Sequence, residues 1–184
     1  MENGMIKEEV ILVDEQDRQT GIAEKMEAHE NGWLHRAFSV FVFNGRGELL
    51  LQQRAMEKYH SGGLWTNTCC SHPRPGEDTR AAAERRLLEE MGFQVALEKV
   101  FDFLYKAGFD NGLIEHEFDH VFVAGYEGPV DTNPDEVMDH AFRSLSQIEA
   151  DLDADPGQFT AWFRLAFPRV KAWWNRQYKN EIAG

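Results

Sequence analysis

Apolar residues along the chain fall mostly into short alternating or continuous blocks, and helical spacing is confined to three stretches. Residues 8–14 (EEVILVD) predict a first strand, closed by the polar turn EQDRQTG. Residues 38–43 (FSVFVF) and 48–53 (ELLLQQ) flank Asn44-Gly45-Arg46-Gly47, and glycine in so short a polar gap predicts a hairpin. Residues 100–106 (VFDFLYK) predict a further strand and 107–112 (AGFDNG) a turn. The run from Ile114 (IEHEFDHVFVAGY) then alternates so that Glu115, Glu117 and Asp119 point one way while Ile114, His116 and Phe118 point the other. Carboxylates crowded on one strand face repel unless they are solvated or held by a cation. Residues 133–140 (NPDEVMDH) begin as a turn and lead into a strand through Ala141 and Phe142.

The first helical stretch follows Glu77-Asp78-Thr79, acids where a helix N-terminus favours them. Ala83, Leu87 and Met91 then share one face, Arg86 and Glu90 another, and Gly92 stands at the closing position. Residues 146–155 predict a short acidic helix, ended by Asp155-Pro156-Gly157. Residues 159–178 carry apolar side chains at 159, 162, 163, 166, 167, 170, 173, 174 and 178, a helix that Pro168 should kink or restart. Trp162 in this pattern is ordinarily a core residue. The chain shows no repeat, linker or composition break, so 1–184 is expected to form a single domain. About 70% of the unfolded surface can be buried at this size.

A net charge of −13 argues against nucleic acid and anionic membrane as partners. No apolar run approaches the ~20 residues that cross a bilayer, and MENGMIKEEV has no signal-peptide character, so a cytoplasmic protein is expected. The two cysteines, Cys69 and Cys70, are neighbours; a bond between them would close a strained ring, and reduced thiols are expected.

The stretch 65–93, WTNTCCSHPRPGEDTRAAAERRLLEEMGF, carries the chemistry. Glu77, Arg85, Leu87, Glu89, Glu90, Gly92 and Phe93 fall on the spacing of a Nudix box, Gx5Ex7REUxEExGU, spanning 71–93. Ser71 replaces its first glycine and Arg86 the glutamate of its REU triplet. Such a box feeds a loop into a helix whose carboxylates recur one turn apart, so several can face a divalent cation on a diphosphate. With TNTCCSHP before it, the chain resembles the type 1 isopentenyl-diphosphate isomerases over about residues 8–165. That resemblance implies a Nudix-type α/β/α sandwich, a mixed sheet between helices, with added N- and C-terminal segments.

His29 and His35 are six apart with Asn31-Gly32 between them, so a loop is expected to separate them and let both fold toward one point. Taken singly, each is more often a surface or hydrogen-bonded residue. In the family, two N-terminal histidines, the histidine of the CxHP segment and an ExE pair bind one metal, which implies His29, His35, His72, Glu115 and Glu117 as ligands here. A mixed nitrogen and oxygen set suits Mn²⁺ or Zn²⁺ better than Mg²⁺. A Mg²⁺ arriving with the substrate diphosphate would be held by Glu90 on the same analogy. The resemblance also assigns catalysis to Cys70 with Glu117, leaving Cys69 to packing, and places Tyr105 in the site as a hydrogen-bonding group. Against the negative average field, a diphosphate needs local cations, and Lys25, Arg54, Lys58, Arg74, Arg85 and Arg86 are available. Arg54 and Lys58 stand where the family places its diphosphate-binding cations, and Lys25 and Arg86 are expected to join them.

The implied reaction is a 1,3-allylic proton shift between isopentenyl and dimethylallyl diphosphate, in which Trp162 offers a π face to a transient carbocation. The expected partner is this small diphosphate alone, bound by a monomer. Two rivals carry different consequences. A Nudix hydrolase of a nucleoside diphosphate derivative would keep the REU glutamate that Arg86 replaces. A non-catalytic metal- or partner-binding domain would leave Cys70 and Glu117 without a task.

Overall fold

The computed structural model describes residues 8–182; 1–7 and 183–184, the two ends of the expected domain span, lie outside the described residues, as does the side chain of Tyr178. Nine strands join in one sheet. In chain order they are β1 (Glu9–Val13), β2 (Gln19–Glu24), β3 (His35–Phe43), β4 (Leu49–Arg54), β5 (Trp65–Thr66), β6 (Cys69–Ser71), β7 (Glu98–Gly108), β8 (Ile114–Gly125) and β9 (Val137–Arg143). The α-helices are α1 (Lys25–Asn31), α2 (Thr79–Met91), α3 (Leu145–Ala154) and α4 (Ala161–Ile182).

β3 organises the sheet. Along one edge it runs parallel to β8, in unbroken register from His35↔Glu117 to Phe43↔Gly125. Along its other edge it meets β1 at His35, β6 from Phe38 to Val40 and β4 at Phe43. β7 pairs antiparallel with β8, while β4 holds β5 and β9. The expected hairpin forms, but only Phe43↔Leu49 pairs across it, because each strand then turns to other partners.

Strand alternation divides the core in two. Phe38, Val40 and Val42 pack with Leu50, Cys69 and Phe122 beneath Ala83, Leu87 and Met91 of α2. Phe41 and Phe43 pack with Leu49, Leu51 and Val121 beneath Phe163, Ala166, Phe167 and Val170 of α4 and Ile148 of α3. Helices thus cover both faces, an α/β/α sandwich. Full burial of one such Leu or Phe contributes about 1.5–3 kcal/mol.

α2 forms as its sequence predicts. The Asp78 carboxylate caps Ala81 N–H, and Gly92 closes the helix at φ 76°, where a Cβ would collide with the Asp131 backbone. Elsewhere local chemistry departs from expectation. Residues 15–21 are not all turn: the reversal is confined to Asp14–Arg18, where the Asp14 carboxylate accepts from Gln16 and Arg18 N–H, and Gln19 already begins β2. This strand is polar and half exposed, so it carries no hydrophobic alternation. His29 lies on α1, a helix the sequence pattern did not predict, and the expected loop, residues 32–34, separates it from His35. The Glu24 side chain caps Met26 and Glu27, and Gly32, at φ 63°, ends α1. β7 extends through Gly108, into the expected turn, and β9 already begins at Val137. α4 runs through Pro168 without restarting. An interior proline costs ~3 kcal/mol or more, and buried Phe167 and Val170 on either side hold the segment against the sheet.

Candidate active site

The site occupies the α4-facing side of four adjacent strands. Cys70 of β6 pairs with Ser39 of β3, His35 of β3 pairs with Glu117 of β8, and Glu117 pairs with Tyr105 of β7. Because side chains on one strand face recur every second residue, Cys70 and His72, His35 and Ser39, and Glu115, Glu117 and Asp119 all project the same way. Cys70 is therefore presented by a strand, not a loop, and Ser71 sits in that strand rather than in a turn. Cys69 and Cys70 point to opposite faces and are both free thiols. The acidic strand face is not solvated: Glu115, Glu117 and Asp119 are 4%, 6% and 1% exposed.

His29, His35, His72 and Glu117 place one ligand atom each within 4.8 Å of one another. Backbone carbonyls set the tautomers. His29 Nδ1 lies 2.7 Å from Lys25 O and His35 Nδ1 2.8 Å from Trp33 O, so each Nδ1–H donates to a carbonyl and each Nε2 faces the cluster. His29 Nε2 is buried with no hydrogen-bond partner. His35 Nε2 and His72 Nε2 approach to 3.2 Å, and Glu117 Oε1 lies 2.9 Å from His72 Nε2. Converging imidazole nitrogens around a buried carboxylate fit a divalent cation, which would replace the protons between them.

Burial lowers the His29 pKa to about 4 and that of His72 to about 3, so both imidazoles are neutral at pH 7, the form that ligates metal. Burial opposes ionisation of Glu117, yet hydrogen bonds with His35 and His72 together hold it well below the usual carboxylate range. Burial, then the Glu117 charge, raises Glu115. The Tyr105 hydroxyl joins the pair, 2.8 Å from Glu115 Oε2 and 2.6 Å from Glu117 Oε2. Burial pushes the Cys70 thiol far up, with Arg54 opposing, so it carries its proton.

Two connected cavities serve these groups. An inner chamber of about 50 Å³ is lined by Cys70, His72, Tyr105, Glu115, Glu117 and Trp162, among others. It opens through Lys25, Lys58, Ser71, His72 and Arg86 into a vestibule of about 700 Å³ that also reaches Arg74 and Arg85. The sequence-predicted cations therefore collect at the mouth. Most are paired with acids: Lys25 with Glu8, Lys58 with Glu136, Arg85 with Glu77 and Glu89, and Arg86 with Glu89, Glu90 and Glu136. Arg54 is buried, makes no ion pair among the described residues, and leaves its Nε without a partner. Its guanidinium lies over the Trp162 ring, 5.2 Å from the centroid.

Glu90 also lines the chamber, apart from the imidazoles: Oε1 accepts from Arg86 at 2.6 Å and Oε2 from Gln52 at 2.9 Å. Trp162 is buried and lines the chamber. Sequence reasoning missed His60, Tyr59, Gln52 and Glu136. His60 and Tyr59 sit in loop 55–64, where Lys58-Tyr59-His60 beside Gly62-Gly63 was the available signal. His60, His29 and Glu115 form a second group of ligand atoms within 4.8 Å.

Residues 33–163 match the family described as NUDIX domain. The chain is 54% identical over 173 residues to a Pectobacterium atrosepticum protein named Isopentenyl-diphosphate Delta-isomerase, covering 94% of this chain and 96% of that one. It is 48% identical to the Burkholderia multivorans protein of the same name, over 93% and 100% of the two chains. Among solved structures it is similar to a Deinococcus radiodurans protein (TM-score 0.66, 17% identity, 80% and 90% covered). The MutT protein of Methanosarcina mazei is comparable (TM-score 0.63, 19% identity, 76% and 94% covered). At these identities the structural likeness speaks for the fold.

Proposed function

The chain belongs to the Nudix family and, within it, to the isopentenyl-diphosphate Delta-isomerases; from that premise we propose how its residues carry out the 1,3-allylic shift. The observation that carries the proposal is that Cys70 and Glu117 stand on strands flanking β3 and project into one chamber. Isomerisation adds a proton to the terminal alkene carbon, passes through a tertiary cation, and removes a proton from the adjacent methylene next to the diphosphate-bearing position. Two groups are needed, one holding a proton and one lacking it. Cys70, kept as a thiol by burial, and Glu117, kept as a carboxylate by His35 and His72, meet that requirement. Tyr105 fixes Glu117 and supplies it with a hydrogen bond. Trp162 and the chamber walls keep water from the cation.

His29, His35, His72 and Glu117, with Glu115 beside them, would hold a Mn²⁺ or Zn²⁺ ion, which supplies positive charge that acidifies groups around it. Arg54, Lys25, Lys58 and Arg86 would take the diphosphate at the chamber mouth, with Mg²⁺ on the same diphosphate neutralising Glu90. The protein would act as a cytoplasmic monomer on this small molecule, with no nucleic acid or membrane partner and its span 1–184 as one domain. Arg86 disfavours the hydrolase reading: it ion-pairs with both Glu89 and Glu90, the box carboxylates a hydrolase would commit to metal.

Proton NMR of the protein with isopentenyl diphosphate and Mg²⁺ in D₂O tests this reading. Dimethylallyl diphosphate should appear with deuterium in its allylic positions, and Cys70→Ala should slow its formation about 10²–10⁴-fold. Deuterated product from the Cys70→Ala protein at the original rate would remove Cys70 from the chemistry.

A further inference from the structure

Four imidazoles line the metal region, one more than the sequence led us to expect. His60 is 5% exposed, and its Nε2 lies 2.9 Å from Glu115 Oε1 without forming an aligned hydrogen bond. The ring is held on three sides: stacked on Phe109 at 4.7 Å and 9°, edge-on to Tyr59 at 4.2 Å, and edge-on to Trp162 at 5.7 Å. A ring so fixed, with a buried nitrogen aimed at a carboxylate it does not bond, is arranged for a cation between them. His29 Nε2, equally without a partner, completes the triangle.

We propose that His60, His29 and Glu115 form a second seat for the divalent ion, beside the seat formed by His29, His35, His72 and Glu117. The proposal rests on the reading that the imidazole cluster holds such an ion. The two seats share His29, whose Nδ1–H is committed to Lys25 O, leaving Nε2 a single lone pair. They are therefore alternative positions for one ion, not sites for two. Glu115, held here by the Tyr105 hydroxyl, turns toward whichever position is filled. An added imidazole biases the region further toward Co²⁺ and Zn²⁺ and away from Mg²⁺.

The test is titration of the chelator-stripped full chain with Co²⁺, without Mg²⁺ or diphosphate, in competition with a chromophoric chelator and with the d–d absorption of bound cobalt recorded. The native protein should bind one Co²⁺ tightly. His60→Asn should alter the cobalt spectrum, and it should weaken binding only by the share of the ion that the second seat holds, because the first seat keeps its four ligands. His35→Asn should retain an ion that the His35→Asn/His60→Asn double variant loses. Native affinity and spectrum in His60→Asn would overturn the second seat, and two tightly bound ions would overturn the shared-ligand arrangement. Failure of the native protein to bind any Co²⁺ would overturn the metal cluster itself and this seat with it. If His60→Asn does not fold, anomalous diffraction from Co²⁺-loaded native crystals decides instead. A cobalt peak within bonding distance of His60 Nε2 supports the seat; a single peak bonded to His35 and His72 alone overturns it.

Discussion

The two sides of β3 and β6 are both buried, yet they carry opposite chemistry. Toward α2 the side chains of Phe38, Val40, Cys69, Leu87 and Met91 form an apolar layer. Toward α4 the same strands begin in an apolar layer of Phe41, Phe163 and Phe167 and end in buried imidazoles and carboxylates around Tyr105. Cys69 and Cys70 are neighbours in sequence, and the alternation of one strand sends the first into the apolar layer and the second into the chamber. A buried polar group without a partner costs about 1–3 kcal/mol, and His29, His60, Asp119 and Trp162 each leave one such atom. The α2 side offsets that cost, which allows the α4 side to hold groups arranged for a ligand rather than for each other.

The cysteine pair offers the largest test of this division. Cys70→Ala should lower kcat about 10²–10⁴-fold while leaving the urea midpoint unchanged. Cys69→Ala should keep kcat and lower stability by about 1 kcal/mol. Equal effects on turnover from both would erase the distinction. Leu87→Ala, wholly on the α2 side, should cost about 2–5 kcal/mol of stability, read from denaturant unfolding, with kcat per folded molecule intact. Tyr105→Phe removes one hydroxyl from two carboxylates and should cost turnover the equivalent of about 1.5–3 kcal/mol, with the unfolding midpoint little moved.

The smallest effect concerns pH in metal-stripped protein. His29 titrates near 4 when folded and, as an ordinary histidine, near 6.5 when unfolded. Between these values the unfolded chain binds a proton that the folded chain refuses. Stability should therefore fall as pH drops from 6.5 toward 4, by no more than about 1.4 kcal/mol per unit from this residue. Urea midpoints measured across that range should fall in native protein and fall less in His29→Leu.

The sequence exposes the α2 side almost completely. Asp78, the i, i+4 faces and Gly92 are local signals, and α2 follows them residue by residue. The site was legible through the CCSHP segment and the alternation of Glu115 and Glu117, both of which the sheet brings to one face. β2 was not legible, because an exposed polar strand is made by its pairing to β1 rather than by its own pattern. α1 was hidden for a related reason: its cap is the long side chain of Glu24, which reads as an ordinary surface acid. His60 was missed because its place depends on Phe109 and Trp162, remote in sequence. The ion pairs that Glu8 and Glu136 make with Lys25 and Lys58 lie across the fold and leave no spacing to read.

The parallel register of β3 and β8 has a consequence for how the protein is made. It joins residues 82 apart, as in His35↔Glu117, and brings the side chains of Ser39 and Asp119 into a 2.7 Å hydrogen bond. Pairing over such a span closes a long loop, the slow kind of folding event. A slip of one residue would turn His35 or Glu117 to the opposite face. No nascent fragment ending before β8 can own the ligand set, however much of the box and its helix it contains. Assembly of His29, His35, His72 and Glu117 at one point is thus a property of the finished topology, and their meeting marks the closing of that long span.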